Sequence, residues 1–373
     1  MRVRIGPLWL NPRVVLSNLG VDTNVFDVPD SRGPQKDFTA TVTPTTDIWM
    51  RIGPSWLQVN VREDVVWYQK LESERSANNA YDVTWRATMG RLLVTLNPKY
   101  VATRERPGYE IDARAQRKEY GGTAKVELRA LSKTFIGVNV ATQHVNFDDT
   151  ATFLGTNLHD DLNRTTTTYG GSVRHQLTPL TAVTVDAAQT QDRFEFNPLR
   201  DSNSTAVRVG LGFDPFALIK GSATFGVRDF APLSPGLPSY RGFVGTADLS
   251  YTLLGATRFA VQWKRDISFS FDNDQPYYLE NGFNGSITQQ VFGPFDAMVR
   301  GGVAHLDYRD RAGTAVAVVD RSDEVRSYGV GVGYHFAEDL RLGFNVDKQQ
   351  RISPVADREY SGLRYGTSLT VGF

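Results

Sequence analysis

The sequence lacks cysteine, net charge and long apolar runs, and each absence excludes a class of protein. Its 373 residues contain no cysteine, and 41 Lys and Arg balance 41 Asp and Glu. Without cysteine there are no disulfides, thiolate metal sites or thiol nucleophiles. A neutral chain gives no reason to expect nucleic acid as a partner, because phosphate binding needs a basic excess. No apolar run is long enough for a membrane helix, whereas the half-apolar strands of a membrane β-barrel remain compatible with the composition.

The N-terminus carries no recognisable export signal. Met1–Arg4 is positively charged, but Pro7 and Asn11-Pro12 interrupt the apolar stretch that follows, and no small-residue cleavage site comes after it. Either a signal peptide has been removed from this chain, or the protein stays inside the cell. The strand pattern of the remaining chain distinguishes an exported protein from one that stays inside the cell.

Alternation of apolar and polar residues dominates the chain. In Leu340–Asp347 every second residue is apolar, and Leu363–Phe373 repeats the pattern. Successive side chains of a strand point to opposite faces, so each such segment has one apolar and one polar face. Windows with the periodicity of a helix are almost absent.

Two kinds of connection separate these segments, and they alternate strictly. Short turns lie at Gly53-Pro54, Gly90-Arg91, Leu131–Lys133, Thr178–Leu180, Asp214–Ala217, Leu254–Ala256, Gly293-Pro294 and Ala337–Asp339. Longer polar stretches lie at Val28–Asp37, Lys70–Asn79, Arg106–Gln116, Asp148–Asn163, Asn197–Ser204, Phe230–Tyr240, Phe271–Pro276, Arg309–Asp323 and Ser353–Arg358. These connections predict about 18 strands in an antiparallel meander.

The sequence therefore predicts an all-β fold, a single transmembrane up-and-down β-barrel domain over residues 1–373. Short turns are expected at the periplasmic end and longer loops at the extracellular end. So many strands enclose too wide a space for side chains to fill, so the apolar face must point to lipid. Aromatic residues beside the turns (Trp49, Trp56, Phe135) and beside the loops (Tyr81, Tyr120) predict two interfacial girdles. A propeller or a soluble sandwich is the alternative fold.

The last strand resembles the C-terminal signal of bacterial outer-membrane barrels. Tyr365, Leu369, Val371 and the terminal Phe373 share one face. The resemblance implies that the barrel assembly machinery recognises this strand and that the protein is located in a Gram-negative outer membrane. Outer-membrane lipids and that machinery are then expected partners.

The opening strand is similar to that of the putative β-barrel porin 2 family. The matching residues are Gly20, Asp22, Asn24, Val25 and Phe26. The resemblance implies a porin-like channel. Some members of the family accompany capsule or exopolysaccharide export, so polysaccharide or export-system components are further expected partners. No cofactor is predicted.

Alternation also predicts which charged side chains line the lumen. Basic residues outnumber acidic ones among the inward positions, and the predicted pore-lining set is Arg208, Lys220, Arg228, Arg258, Lys264, Arg300, Arg341 and Arg364. Rings of one sign set ion selectivity, so an anion-preferring pore is expected. The alternative is that neighbouring strands pair these charges with one another.

The sequence leaves several functions open. The longest loops, Asp148–Asn163 and Arg309–Asp323, are expected to fold inward as constrictions. A second hypothesis is a docking barrel with a plugged lumen and partner-binding loops. A third is an outer-membrane lipid hydrolase, in which His144 and Ser172 would approach across adjacent strands. No Gly-x-Ser-x-Gly motif supports the third, and no catalytic or metal-binding residue is predicted.

Overall fold

A computed structural model of the chain describes residues 3–214, 217–316, 318–337 and 339–372. It shows an antiparallel β-barrel of 18 long strands. Each strand pairs with the next along the chain, and the last pairs with the first, which closes the sheet. The predicted fold is confirmed, and the propeller and sandwich alternatives are wrong.

The barrel strands are numbered β1 to β18 in chain order. They are β1 Leu8–Asp22, β2 Asp37–Ile52, β3 Ser55–Tyr68, β4 Ser76–Met89, β5 Leu92–Glu105, β6 Ala115–Arg129, β7 Thr134–Phe147, β8 Arg164–Thr178, β9 Thr181–Phe194, β10 Ser202–Phe213, β11 Ile219–Pro232, β12 Tyr240–Leu253, β13 Thr257–Phe269, β14 Tyr277–Phe292, β15 Phe295–Arg309, β16 Ser322–Ala337, β17 Leu340–Ile352 and β18 Tyr360–Gly372.

Smaller elements lie outside the barrel wall. A short strand, Val3–Ile5, pairs with the beginning of β1. Between β7 and β8 lie a hairpin of two-residue strands, Thr152–Phe153 and Thr156–Asn157, and one helical turn, Leu158–Leu162. Short 3-10 turns occupy Asp30–Arg32, Glu72–Glu74, Pro198–Arg200 and Ala356–Arg358. No helix among the described residues is long and apolar enough to span a membrane.

Tight turns collect at one end of the barrel, the turn end, and long connections at the other, the loop end. Gly53, Gly90 and Gly293 occupy tight turns with φ of 57°, 62° and 51°. That left-handed conformation is one that only glycine adopts without steric cost. The predicted strict alternation of turns and loops is confirmed.

The two faces of the wall differ as alternation requires. On β17, Leu342, Phe344 and Val346 face outward, while Arg341 and Asp347 face inward, where both make ion pairs. Apolar side chains of the outer face are widely exposed. Such a surface is costly in water, and a hydrocarbon environment accounts for it.

The seam between β1 and β18 contains the main irregularity of the wall. The pairing shifts between Leu16 and Leu19, where Asn18 has a φ of 53°. A β-bulge of this kind inverts the alternation, so odd-numbered residues face inward before it and even-numbered residues after it. Beyond the bulge Gly20 lies opposite Gly366, and a Cβ on Gly20 would come within 1.9 Å of the Tyr365 carbonyl oxygen.

Some aromatic residues expected in the girdles face the lumen instead. Trp49, Trp56 and Phe135 share the inward face with neighbouring polar residues, and Phe135 packs beneath Arg174 at 4.1 Å. Tyr81 and Tyr120 face outward. Position near a strand end does not by itself indicate which face a residue occupies.

A pair of adjacent residues tests the assignment of faces. Val261 faces outward in the middle of β13, and Gln262 lines a lumenal cavity. Val261→Arg is expected to cost roughly 2–4 kcal/mol near the bilayer midplane and to block assembly. Gln262→Arg should assemble like the wild type. The measurement is the heat-modifiable folded fraction in electrophoresis, and the reverse outcome would mean that the faces are inverted.

Candidate functional site: the barrel lumen

The predicted pore-lining residues all lie on the inward face. Arg208 on β10 pairs with Gly226 on β11, so Arg228 lies close to it, whereas Lys220 lies at the turn end of β11. Arg258 and Lys264 follow on β13. Arg300, Arg341 and Arg364 lie on β15, β17 and β18.

The predicted assembly-signal residues lie on the opposite face of the wall. Tyr365, Leu369 and Val371 face outward on β18. Phe373 lies outside the described residues. What this face recognises during assembly stays a prediction.

Most of the inward basic residues are paired with carboxylates. Arg208 and Arg228 share Asp266, at 3.9 and 2.8 Å. The remaining pairs are Lys264–Glu280 at 3.1 Å, Arg300–Asp347 at 2.5 Å, Arg341–Asp296 at 2.6 Å and Arg364–Asp22 at 2.5 Å. Within the part of the chain that the structure describes, Lys220 and Arg258 make no ion pair.

The inward face also carries several acidic residues that the sequence pattern does not predict. They are Asp22, Asp47, Asp82, Glu119, Asp192, Glu280 and Asp323. Most lie near strand ends, where the limits of a strand are hard to place from sequence, and Asp22 follows the bulge in β1. These carboxylates offset the basic excess that alternation predicts for the lumen.

One outer loop crosses the lumen. Arg106–Arg114 connects β5 to β6, and we call it the inward loop. The Asn284 side-chain amide on β14, across the lumen, donates to the Tyr109 hydroxyl at 3.3 Å. The Glu110 carboxylate accepts from the Ser270 hydroxyl at 2.6 Å and the Phe271 backbone N–H at 3.1 Å. The loop therefore spans from its own strands to the opposite wall.

Buried charges hold the inward loop in place. We call Glu110, Asp112, Asp323, Arg351 and Arg358 the latch cluster. Arg351 and Arg358 each lie 3.3 Å from the Asp112 carboxylate, and both donate to the Glu110 backbone carbonyl. Arg351 also lies 3.5 Å from Asp323, and its side chain is fully buried. These contacts join the loop to β16, β17 and the loop that follows β17.

Burial dominates the electrostatics of the loop carboxylates. It raises the pKa of Glu110 and Asp112 above their usual values, and nearby arginines oppose that rise. A buried carboxylate of this kind is tolerated only when cations and hydrogen-bond donors surround it. The latch cluster meets that condition.

The beginning and end of the inward loop are tied to other elements. Arg106 lies 3.0 Å from Asp27 of the first outer loop and donates to the Val25 carbonyl at 2.8 Å. Burial raises the pKa of Asp27 to about 6. Arg114 donates to the Tyr68 hydroxyl, and its guanidinium lies 4.7 Å from the Tyr68 ring.

The opening motif builds the first outer loop and the seam beside it. Asp22 pairs with Arg364 of the last strand and accepts from the Asn24 backbone N–H. The Asn24 side chain bridges the carbonyls of Val28 and Ser361. Val25 is buried against Tyr68. Asp22 and Asn24 of the motif therefore connect the first strand to the last strand.

The two loops expected to form constrictions pack at the loop end. In Asp148–Asn163, Phe153, Leu158 and Leu162 form a buried cluster with Ile111 of the inward loop and with Phe271. This segment packs onto the inward loop at the loop end. Arg309–Asp323 contacts neighbouring outer loops through Arg311 and Ala312. Loop length alone did not identify the segment that crosses the lumen.

Two of the lumenal cavities are lined by predicted pore-lining residues. One of about 720 Å³ lies along β12 to β18 and is lined by Arg258, Gln262, Arg300 and Asp347. The other, of about 480 Å³, lies against the inward loop and is lined by Tyr109, Glu119, Arg208 and Lys264. Both linings mix charges of the two signs with neutral polar groups.

The candidate hydrolase pair is not assembled. His144 faces outward on β7, where it stacks on Tyr120 at 4.8 Å. Ser172 faces inward on β8 and is buried. The two side chains therefore lie on opposite faces of the wall. Among the described residues no cluster of His, Asp and Glu has metal-binding geometry.

A closed barrel with an apolar exterior, a polar interior and a loop across its lumen defines a porin-like outer-membrane β-barrel. The chain belongs to the family described as putative beta-barrel porin 2, whose model matches residues 3–373. Family and fold point to a channel rather than to an enzyme. No curated protein is significantly similar to this chain in sequence.

Solved porin structures share the fold at low sequence identity. The Pseudomonas aeruginosa OpdO crystal structure has a TM-score of 0.50 and 12% identity, over 98% of this chain and 97% of that one. The structure of P. aeruginosa OpdK with vanillate has a TM-score of 0.51 and 9% identity, over 98% of this chain and 99% of that one. A BenF-like porin from Pseudomonas fluorescens Pf-5 has a TM-score of 0.51 and 10% identity, over 99% of this chain and 98% of that one.

Breaking the latch cluster should destabilise the loop end. Arg351→Met leaves Asp112 and Asp323 short of a buried partner, which is expected to cost about 3–5 kcal/mol. The control is Arg32→Ala, because the ion pair of Arg32 with Asp357 is exposed and should contribute only about 0–1 kcal/mol. Denaturant unfolding and proteolytic cleavage within Arg106–Arg114 would measure both. Equal behaviour of the two variants would show that the latch does not hold the loop.

Proposed function

We propose that the protein is a passive channel for small polar solutes in a bacterial outer membrane. The inward loop carries this proposal, because it narrows a polar lumen at the position where it crosses to the opposite wall. The two cavities beside it are lined by groups that hydrogen-bond polar molecules. A lumen built only for mechanical stability would have no need of such a lining.

Exopolysaccharide would pass this lumen less easily than small solutes. A polymer would have to pass the inward loop, whose contacts with Asn284, Ser270, Arg351 and Arg358 hold it across the barrel. We therefore propose small solutes as the ordinary cargo. Passage of a polymer chain, with export-system components as partners, would require the loop to leave the lumen.

A docking barrel is the second candidate. The observation that favours it is the filled loop end, where the latch cluster and the apolar cluster around Leu158 close over the inward loop. Such a protein would bind its partner through the outer loops and would conduct little. Conductance separates the two functions.

Removing the constriction should open the channel. Because β5 and β6 are adjacent strands, a short linker can replace residues 107–112 while these two strands stay paired. We expect single-channel conductance in planar bilayers to be measurable for the wild type and higher for this variant. The control is the same linker in place of residues 234–237, which lie in another outer loop. No conductance from either protein would favour the docking barrel, and equal conductance of wild type and variant would show that the loop is not the constriction.

Lys220 and Arg258 should have the clearest influence on ion selectivity, because neither makes an ion pair with another described residue. Changing both to Glu should shift the reversal potential in a salt gradient toward cations. The shift should weaken as salt rises, since charges in water are screened over about 8–10 Å at physiological ionic strength. Lys36→Glu reverses an exposed charge in an outer loop and serves as the control. A shift equal to that of the control would contradict a charged passage at these positions.

A further inference from the structure

Three of the six tryptophans lie together inside the barrel at the turn end. Trp9, Trp49 and Trp56 are on β1, β2 and β3, which are adjacent. Trp9 pairs with Trp49 in register, and Trp56 pairs with Arg51, two residues beyond Trp49. Paired residues share a face, so the three side chains lie on the same side of the wall. We call them the tryptophan platform.

The face that the platform occupies is the lumenal one. The register of β2 with β3 is constant from Thr39–Tyr68 to Ile52–Ser55, so Trp56 and Tyr68 share a face. Tyr68 contacts Arg114 of the inward loop, which lies inside the barrel. The other tryptophans, Trp67, Trp85 and Trp263, occupy the outward face.

The platform is open to solvent. The exposed fractions are 41% for Trp9, 44% for Trp49 and 47% for Trp56. A cavity of about 360 Å³ lies over them and is also lined by Leu10, Asn11 and Asp47. Indole rings exposed to an aqueous lumen forgo the burial that usually stabilises them. Three such rings in one patch therefore indicate a binding surface.

Polar groups border the platform. Asn11 pairs with Asp47 on the same face, and Gln58 pairs with Trp49. Arg4 and Arg51 place their guanidinium groups 4.9 and 5.7 Å from the rings of Trp9 and Trp56. Flat apolar faces beside amides, a carboxylate and guanidinium groups form an amphipathic site.

A sugar ring matches this combination. One face of a pyranose presents C–H bonds of partial positive charge, which are attracted to the negative face of an indole ring. Its hydroxyl groups lie at the edge, within reach of neighbouring amide and carboxylate groups. A cationic ligand is disfavoured because the guanidinium groups of Arg4 and Arg51, which already lie near two of the rings, would repel it. A purely apolar ligand would leave the polar border unpaired.

We propose that the tryptophan platform is a carbohydrate-binding subsite at the turn-end mouth of the lumen, which stacks the pyranose rings of an oligosaccharide. This inference rests on the proposed channel function and names sugars as a solute class for it. The platform would hold a sugar at the turn-end mouth before it reaches the inward loop.

Tryptophan fluorescence of the folded protein in detergent tests the subsite, with maltohexaose as the probe. Polyethylene glycol of similar length serves as a control ligand without pyranose faces. We expect a saturable change with maltohexaose alone. Trp49→Ala should weaken binding about tenfold, because it removes the central ring, whereas Trp49→Phe should retain much of the affinity. Trp85→Phe changes a lipid-facing ring and should leave the affinity unchanged.

Two further measurements keep the outcomes distinct. Asn11→Ala leaves the rings in place, and we expect it to weaken binding several-fold even if Trp49→Ala fails to fold. Interruptions of single-channel current by maltohexaose show whether bound sugar lies in the conducting path. If maltohexaose causes no saturable change, or if all variants bind it with equal affinity, the proposed subsite is wrong. Conductance of the wild type would still support the channel in that case. Sugar binding without conductance overturns the channel and supports the subsite.

Discussion

Pairing of the backbone is the constraint on which the rest of this structure depends. In hydrocarbon an unpaired N–H or C=O group costs several kcal/mol, so a sheet that crosses a membrane must close on itself. Closure here depends on the seam between β1 and β18, where Gly20 and Gly366 lie opposite each other and Asp22 pairs with Arg364. Through Asp22 and Asn24, the opening motif ties this seam to the first outer loop.

Side chains of the wall cannot fill the space that 18 strands enclose, so another part of the chain has to narrow the lumen. The inward loop and the latch cluster narrow the lumen at the loop end. Arg351, Arg358, Glu110 and Asp112 are buried together, and such a group is stable only while each charge keeps its partners. The narrow part of the lumen is thus held by electrostatics, and the wall by backbone hydrogen bonds. Changes in the inward loop therefore leave the backbone pairing of the wall in place.

The lumen differs in character along its axis. At the loop end, buried ion pairs and an apolar cluster pack around the inward loop. Further in, charged and neutral polar groups line two cavities, and at the turn end the exposed indoles of Trp9, Trp49 and Trp56 lie beside charged groups. A solute would therefore meet stacking surfaces at one mouth and hydrogen-bonding groups beyond it. This order fits polar solutes that also carry an apolar face.

The alternation of residues by itself determined the 18 strands, their antiparallel order and the inward position of Arg208, Arg258 and Arg364, because a strand has a period of two wherever it lies. The family motif around Gly20 and Asp22 was also readable. Only the tertiary structure decided that Arg106–Arg114 crosses the lumen, since its partners Asn284, Ser270 and Arg351 are far away in sequence. It also decided that Trp49 and Trp56 face inward, because strand register relates each residue to its neighbours across the sheet. Charge pairing such as Arg228 with Asp266 depends on distances between strands, and no pattern within one strand contains them.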